Sequence, residues 1–131
     1  MGEVTVSTDR RTQLLDVTAS VAKLVHDSGV QQGTCHLYVP HTSAGVIINE
    51  NADPEVIQDL LMGLERLAPK AGGYRHREGN SDAHIKTALV GTSATVFIDN
   101  GKLDLGHWQG IFFCEFDGPR IRQMRVKIVS D

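Results

Sequence analysis

The stretch His41-Thr-Ser-Ala-Gly-Val-Ile-Ile-Asn-Glu-Asn-Ala-Asp-Pro-Glu-Val56 surrounds a short apolar run with polar residues and then enters a helix. Val46, Ile47 and Ile48 are adjacent β-branched residues, which favours a buried strand. Residues 41–43 and 49–53 then lie at the two ends of that strand, where functional side chains are often placed. Asp53-Pro54-Glu55 predicts the helix start, because aspartate caps it, proline fits its first turn and glutamate complements its dipole.

The rest of the chain predicts strands around a few helices. Strands are expected over residues 3–8, 34–39, 93–98, 102–105, 108–116 and 121–129, and residues 3–8 are expected to form a first hairpin with 12–15. Helices are expected from Asp16 or Thr18 to Ser28-Gly29, from 54 to 67, and over 83–90 with Ser81 or Asp82 as the cap. In the second helix, the buried stripe is predicted to be Val56, Leu60, Leu61, Leu64 and Leu67.

This order of elements predicts an α+β fold with a mainly antiparallel sheet and two to three helices. A chain of 131 residues has about the length of one average domain, so we predict a single domain over residues 1–131. Cys35 and Cys114 fall inside apolar strand-like runs, which favours buried reduced thiols over a disulfide or a catalytic nucleophile.

Composition excludes some partners. The net charge of −3 gives no overall positive field, so nucleic acid is not expected as a partner. No apolar run approaches the roughly 20 residues of a membrane span, and residues 1–6 lack a signal-peptide core. The sequence therefore predicts a cytoplasmic protein that does not bind membranes.

Histidines are the first candidates for chemistry, because four of the six lie at predicted strand ends, loops or helix starts. A catalytic zinc or similar ion takes three imidazole, thiolate or carboxylate ligands and leaves a position open for water or substrate. His41, His76 and His84 are the predicted metal ligands, if folding brings His41 to the later pair. The alternative is that these histidines hydrogen-bond the backbone or a substrate.

The run Gly79-Asn-Ser-Asp-Ala-His-Ile-Lys86 suggests phosphate binding. Gly79 permits close approach of the backbone, the amides around Asn80 and Ser81 point outward at a helix start, and Lys86 adds positive charge. Asp82 would oppose an anion unless a divalent metal bridged the two. The alternative is an ordinary capped helix.

Two further groups of polar residues are candidates. Glu50 is the best acid–base residue in the segment 49–53, although that segment could equally satisfy backbone groups where strand meets helix. Trp108 and Gln109 could stack on a flat substrate ring and hydrogen-bond its edge, although a single tryptophan at a strand start is more often part of the core.

These segments together resemble the YjbQ-like family, which is linked to a secondary thiamine-phosphate synthase activity. The resemblance covers nearly the whole chain, and the segments that carry it are His41-Thr-Ser-Ala, Asn49-Glu-Asn-Ala-Asp-Pro-Glu-Val56, Tyr74-Arg-His76, Gly79 to Gly91, Gly91-Thr-Ser-Ala-Thr and Gly106-His-Trp-Gln-Gly110. The last block departs from the family pattern, which has threonine or another small or polar residue in place of His107. His107 is therefore left out of the predicted metal site.

The resemblance implies a homotrimer or a dimer of trimers, and an enzyme that joins a pyrimidinylmethyl diphosphate to a thiazole phosphate with release of diphosphate. Glu50, Asp82 and His84 are the catalytic candidates in that reading, with a divalent metal (Zn or Mg) and no organic cofactor. Two alternatives stay open. One is a metal-dependent hydrolase of a phosphorylated or amide substrate, and the other is a noncatalytic oligomer that binds a phosphorylated metabolite.

Overall fold

Two antiparallel sheets and three helices make up the computed structural model, which describes residues 1–131. The strands are β1 (Gly2–Ser7), β2 (Gln13–Asp16), β3 (Gln32–Tyr38), β4 (Ala44–Glu50), β5 (Ser93–Asp99), β6 (Lys102–Leu103), β7 (Gln109–Glu115) and β8 (Ile121–Ser130). The helices are α1 (Thr18–Ser28), α2 (Pro54–Leu67) and α3 (Ser81–Val90). One sheet has the order β1-β8-β3-β5-β6 and the other the order β2-β7-β4. The predicted α+β fold with mainly antiparallel sheet and three helices is confirmed.

The buried apolar residues form two clusters, one on each side of the three-stranded sheet. The larger cluster lies between the two sheets and includes the α1 residues Val21 and Val25. The smaller cluster lies under α2 and α3 and contains Phe112 and Ala83. The outer face of the five-stranded sheet is left without a covering layer in the monomer. None of the three helices has the length and apolar character needed to cross a bilayer.

Both cysteines are buried free thiols, as the sequence predicts. Burial raises the pKa of the Cys35 thiol to about 11 and also raises the pKa of the Cys114 thiol. A thiol with a raised pKa is mostly protonated near neutral pH and is a poor nucleophile. The two cysteines therefore act as apolar side chains that pack in the core.

The predicted first hairpin is wrong. β1 pairs with β8, whereas β2 pairs with β7 in the other sheet. Alternation of apolar and polar residues predicts that a segment is a strand, but it does not identify the partner strand. The polar residues 9–12 thus carry the chain from one sheet to the other.

The start of α2 and the end of α1 follow the sequence signals, whereas the starts of α1 and α3 depart from them. The cap of α1 is Val17, not Asp16 or Thr18 as predicted, although Asp16 accepts a hydrogen bond from the Thr18 amide at 2.9 Å. Asp53 caps α2 by accepting a hydrogen bond from the Glu55 amide at 2.9 Å, and Gly29 ends α1 with φ of 71°. The cap of α3 is Asn80, not Ser81 or Asp82 as predicted, and no side chain bonds the amides of its first turn. Asp82 is the second residue inside α3, and its carboxylate is bound by Arg11.

The apolar stripe of α2 is less buried than its spacing predicts. Val56, Leu60, Leu61 and Leu64 are half-buried, and Leu67 is 71% exposed. The prediction of a buried stripe is therefore wrong for Leu67. One edge of the stripe packs on the smaller core cluster, and the other edge lines a shallow surface groove.

We expect Gly45→Ala to reduce the free energy of unfolding by about 1–3 kcal/mol, because the new methyl group overpacks the contact between β4 and the end of α3. A Cβ at Gly45 would lie 2.3 Å from the Gly91 carbonyl oxygen. The matched control is Gly63→Ala in α2, where a Cβ would meet nothing within 4 Å. That change should stabilise the protein by about 0.5–1 kcal/mol, since alanine favours a helix interior. Urea denaturation measures both, and equal stability of Gly45→Ala and wild type would contradict the expectation.

Candidate functional site

The three histidines of the predicted site line one polar pocket of about 490 Å³. His41 lies between β3 and β4, His76 lies in the connection from α2 to α3, and His84 lies in the first turn and a half of α3. Arg120, directly before β8, and Arg122, the second residue of β8, form another wall. The remaining lining residues are Pro40, Thr42, Ser43, Glu78 and Asn80. The pocket therefore joins segments from four separate parts of the chain and contains no large apolar side chain.

His84 is held in one orientation by the backbone. Its Nδ1 lies 2.8 Å from the Thr42 carbonyl oxygen, and because a carbonyl oxygen only accepts, Nδ1 carries the proton and donates. Nε2 then remains free to accept or, when protonated, to donate. The ring of His76 lies edge-on to that of His84, with 5.5 Å between centroids.

In His41 it is Nε2, not Nδ1, that is bound by the backbone. Its Nε2 accepts a hydrogen bond from the Gln123 amide at 3.0 Å, so in the neutral ring the proton lies on Nδ1. Burial lowers the pKa of His41, and the positive charge of Arg122 lowers it further. His41 is therefore a neutral donor through Nδ1.

We expect a proton NMR titration to place the pKa of His41 below its ordinary value of about 6.5. Because the pKa of His41 is lower in the folded state, the unfolded chain binds this proton first as the pH falls. The free energy of unfolding is therefore unaffected by His41 above about pH 6.5 and decreases as the pH falls below that value. Arg122→Met should raise the pKa of His41 toward its ordinary value, because the charge of Arg122 is removed. A His41 midpoint at or above 6.5 in the wild type would contradict the hydrogen-bond assignment.

Arg122 is fixed by a carboxylate behind the pocket. Glu115 has no exposed surface and accepts from Arg122 Nε at 2.9 Å and Nη2, and from Thr8 Oγ1 at 2.8 Å. Burial alone would raise the pKa of Glu115, but the hydrogen bonds from Arg122 and Thr8 outweigh burial and hold the pKa below its usual range. Arg122 Nη2 also donates to Ser43 Oγ at 2.9 Å, which leaves Nη1 without a partner in the chain.

Asp117 holds two side chains in the neighbouring wall of the pocket. Its carboxylate accepts from Arg120 Nη2 at 3.0 Å and from Asn80 Nδ2 at 2.9 Å. The acceptor on Asp117 fixes the amide of Asn80 with its nitrogen toward Asp117, because the flipped amide would place two oxygens together. Asn80 Oδ1 is consequently buried without a partner. The Asn80 side chain is thus turned away from the helix that it begins.

Of the predicted phosphate loop, only Asn80 and His84 reach the polar pocket. Lys86 is 1% exposed and lies 2.6 Å from Glu65 and 3.4 Å from Asp82, and Arg11 binds Asp82 through two nitrogens at 2.8 and 3.0 Å. Lys86 and Asp82 therefore tie α3 to α2 and to the β1–β2 connection. Gly79 makes a turn with φ of 74°, and neither it nor Ser81 lines the pocket.

Glu50, Trp108 and Gln109 lie away from the histidines. Glu50 pairs with Gln109 at one end of the β4–β7 ladder, whereas Ala44 pairs with Glu115 at the other end, next to the pocket. Six residues of strand span about 20 Å. Trp108 is 59% exposed and lies against His107, with 4.4 Å between ring centroids. Within one chain these residues do not join the polar pocket.

The three pocket histidines do not together form a group of metal ligands. No three His, Cys, Asp or Glu side chains are arranged to hold a metal ion. The proton on Nδ1 of His41 adds a chemical reason, because a ring whose Nε2 accepts from the backbone has no free lone pair to give a metal. His41 fits a three-histidine metal centre only if its bond to the Gln123 amide breaks.

Arg120 and Arg122 are site residues that the sequence analysis did not identify. A signal for Arg122 existed, because alternation along β8 places it on the same face as Met124 and Val126, which are core residues. A charged residue at an inward position needs a partner or a function. Here Arg122 has both a carboxylate partner and an edge on the pocket.

The architecture and the pocket define a small α+β protein with a polar pocket rich in histidine and arginine. A family model described as UPF0047 protein YjbQ-like matches residues 2–131, and the chain belongs to this family. A UPF0047 protein of Methanocaldococcus jannaschii is 52% identical over 126 residues, which cover 96% of this chain and 91% of the relative.

Solved structures agree with this assignment. A YjbQ/UPF0047 protein of Clostridium acetobutylicum, described as uncharacterised, has 51% identity and a TM-score of 0.96, covering 98% of this chain and all of that one. A YbjQ-like protein of Sulfolobus solfataricus, described as of unknown function, has 31% identity and a TM-score of 0.96, covering 99% of this chain and 96% of that one. The predicted family is confirmed, and these relatives bring no assigned function with them.

Proposed function

We propose that this protein is an enzyme that acts on a phosphorylated small molecule in the polar pocket, with thiamine-phosphate synthesis as the specific reaction. The observation that carries the proposal is the convergence of three histidines and two arginines on one pocket without large apolar side chains. Convergent cationic and imidazole groups from distant parts of a chain are typical of sites that bind and activate phosphates.

The donors in the pocket suit an anion. Arg122 Nη1 has no partner in the chain, and His41 presents Nδ1–H. Arg120 is half-exposed beside them, so its charge adds to the field even though Asp117 holds part of its guanidinium. Glu115 fixes Arg122 before a ligand arrives, so little side-chain entropy is lost on binding.

In the proposed reaction the bond between the pyrimidinylmethyl carbon and the diphosphate oxygen breaks, and its electron pair leaves with diphosphate. The thiazole nitrogen gives its lone pair to the same carbon and forms the new C–N bond. Negative charge grows on the leaving oxygen, where Arg120 and Arg122 stabilise it. His84 protonated at Nε2 donates to that oxygen. A divalent cation bound to the diphosphate would neutralise further charge.

Turnover by the purified protein tests this proposal. The protein is mixed with the pyrimidinylmethyl diphosphate and the thiazole phosphate, with and without Mg²⁺, and diphosphate and thiamine phosphate are measured. Equal amounts of both products support the synthase reaction. Binding of the diphosphate without any turnover, in this and a broader substrate screen, would favour a noncatalytic metabolite-binding oligomer instead.

One observation favours metal-dependent hydrolysis as a second candidate. Nδ1 of His84 donates to a backbone carbonyl, which is how histidines that ligate metals are usually oriented. His84 and His76 fit as ligands, whereas His41 fits only after rearrangement. Metal analysis of protein purified without added metal separates the candidates, because stoichiometric zinc favours hydrolysis and Mg²⁺-dependent turnover favours departure of diphosphate.

We also propose that the chain forms a homotrimer or a dimer of trimers. The support is the uncovered outer face of the five-stranded sheet, where Phe97 is 65% exposed and Val129 is 42% exposed. Both residues pair with Thr34, so they are neighbours on that face. Light scattering coupled to gel filtration should give three or six times the mass of one chain, and a monomer would contradict this proposal.

A further inference from the structure

A second groove, of about 660 Å³, adjoins the polar pocket. His41, Thr42 and His84 line both spaces, so the two form one continuous surface. The rest of the groove is built from small residues at the end of α3 and just beyond it: Thr87, Ala88, Gly91 and Thr92. The groove therefore carries small side chains where the polar pocket carries charged ones.

Most polar groups that line this groove already have partners. Thr87 Oγ1 donates to the Ala83 carbonyl at 2.9 Å, and the Gly91 amide donates to the Thr87 carbonyl at 2.8 Å. The carbonyls of Gly91 and Thr92 accept from the backbone of β4 and of residue 39. Apart from the hydroxyls of Thr42 and Thr92, the groove presents carbon atoms and the rings of His41 and His84.

A surface of this kind binds a different chemical group from the one that the polar pocket binds. An anionic group against Ala88 and Gly91 would lose water and find no free donor there, because the Gly91 amide already donates to the Thr87 carbonyl. A flat uncharged ring would lose little and would bury apolar area against Ala88 and the imidazole of His84. The two spaces together are complementary to a molecule with an anionic end and a ring end.

We propose that the groove binds the uncharged ring of a phosphate or diphosphate ester whose ring is joined to the ester oxygen through one methylene, with the phosphate in the polar pocket. This inference rests on the proposed function, because it needs the phosphate in the polar pocket. It adds that Ala88 determines specificity. The small side chain at position 88 leaves the space that the ring occupies.

Binding of two simple phosphates tests the groove separately from the pocket. Isothermal titration calorimetry compares methyl phosphate with benzyl phosphate on the wild type, on Ala88→Leu and on Ala22→Leu. Ala22 is an exposed alanine on α1 that lines neither space, so it is the matched control for the same change of side chain. Circular dichroism verifies that each variant is folded.

We expect the wild type and Ala22→Leu to bind benzyl phosphate at least about tenfold more tightly than methyl phosphate, since ring burial contributes to affinity. Ala88→Leu should reduce this ratio to near one and leave methyl phosphate affinity within about twofold. If methyl phosphate binds but the ratio is near one in the wild type, or is unchanged in Ala88→Leu, the groove inference is wrong and the proposed function stands. If neither phosphate binds the wild type, the proposed function itself fails.

Discussion

Glu115→Ala is expected to lower the free energy of unfolding by about 3–5 kcal/mol, the cost of leaving a buried charge without its partner. Arg122 is 4% exposed and makes its main contacts with Glu115, so it would keep its charge in a site with little water. The amide of Asp117 would lose its acceptor as well, whereas Thr8 Oγ1 and the Phe116 amide would keep the carbonyl oxygens of Arg120 and Ser43. Urea denaturation followed by circular dichroism measures the change.

Two comparisons identify the cause of that loss. Glu3→Ala removes an exposed carboxylate on β1 and should change stability by no more than about 0.5 kcal/mol. The double variant Glu115→Ala, Arg122→Met removes both charges and should be more stable than Glu115→Ala alone, since an apolar pair can replace a buried ion pair at little cost. A double variant that is less stable than the single one would show that the unpaired charge is not the cause.

His84→Ala is expected to lower the rate of diphosphate release by about 10²-fold or more, because general acid catalysis by a positioned side chain contributes about 10²–10⁴-fold. Nδ1 of His84 is held by the Thr42 carbonyl, so Nε2 is presented to the pocket in a fixed direction. The measurement is the initial rate of diphosphate release at saturating substrate.

His107→Ala serves as the control for His84→Ala. His107 is exposed, lies against Trp108 at the far end of β7, and does not line the polar pocket. We expect its loss to leave the rate unchanged. Equal rates in His84→Ala and the wild type would remove His84 from the mechanism, whatever the function of the pocket.

Local signals predicted the elements of this fold well and their pairing poorly. The cap by Asp53, the stop at Gly29 and the strand around Val46 depend on residues close in sequence, so short motifs are sufficient to find them. The partner of β1 depends on β8, which lies more than 100 residues later. No local pattern encodes that choice, and the predicted hairpin failed for this reason.

The candidate site also combines residues that local sequence signals identify with residues whose positions depend on the fold. His41, His76 and His84 were selected because they lie where elements end, and the structure places them in one pocket. Helical geometry explains which of the predicted residues on α3 face the pocket and which do not. Asn80 and His84 are four residues apart and share a face, whereas Asp82 and Lys86 share a face about 200° away and meet Arg11 and Glu65.

The position of β8 has a consequence for how the protein is made. β8 is the last strand of the eight to leave the ribosome, yet it lies between β1 and β3 in the five-stranded sheet. It supplies Arg122 to the pocket, and Arg120 directly precedes it. Until it is synthesised, β1 has no partner and β3 has one free edge, which are conditions that promote association between nascent chains. Completion of the sheet and assembly of the pocket should therefore coincide, once β8 has been synthesised.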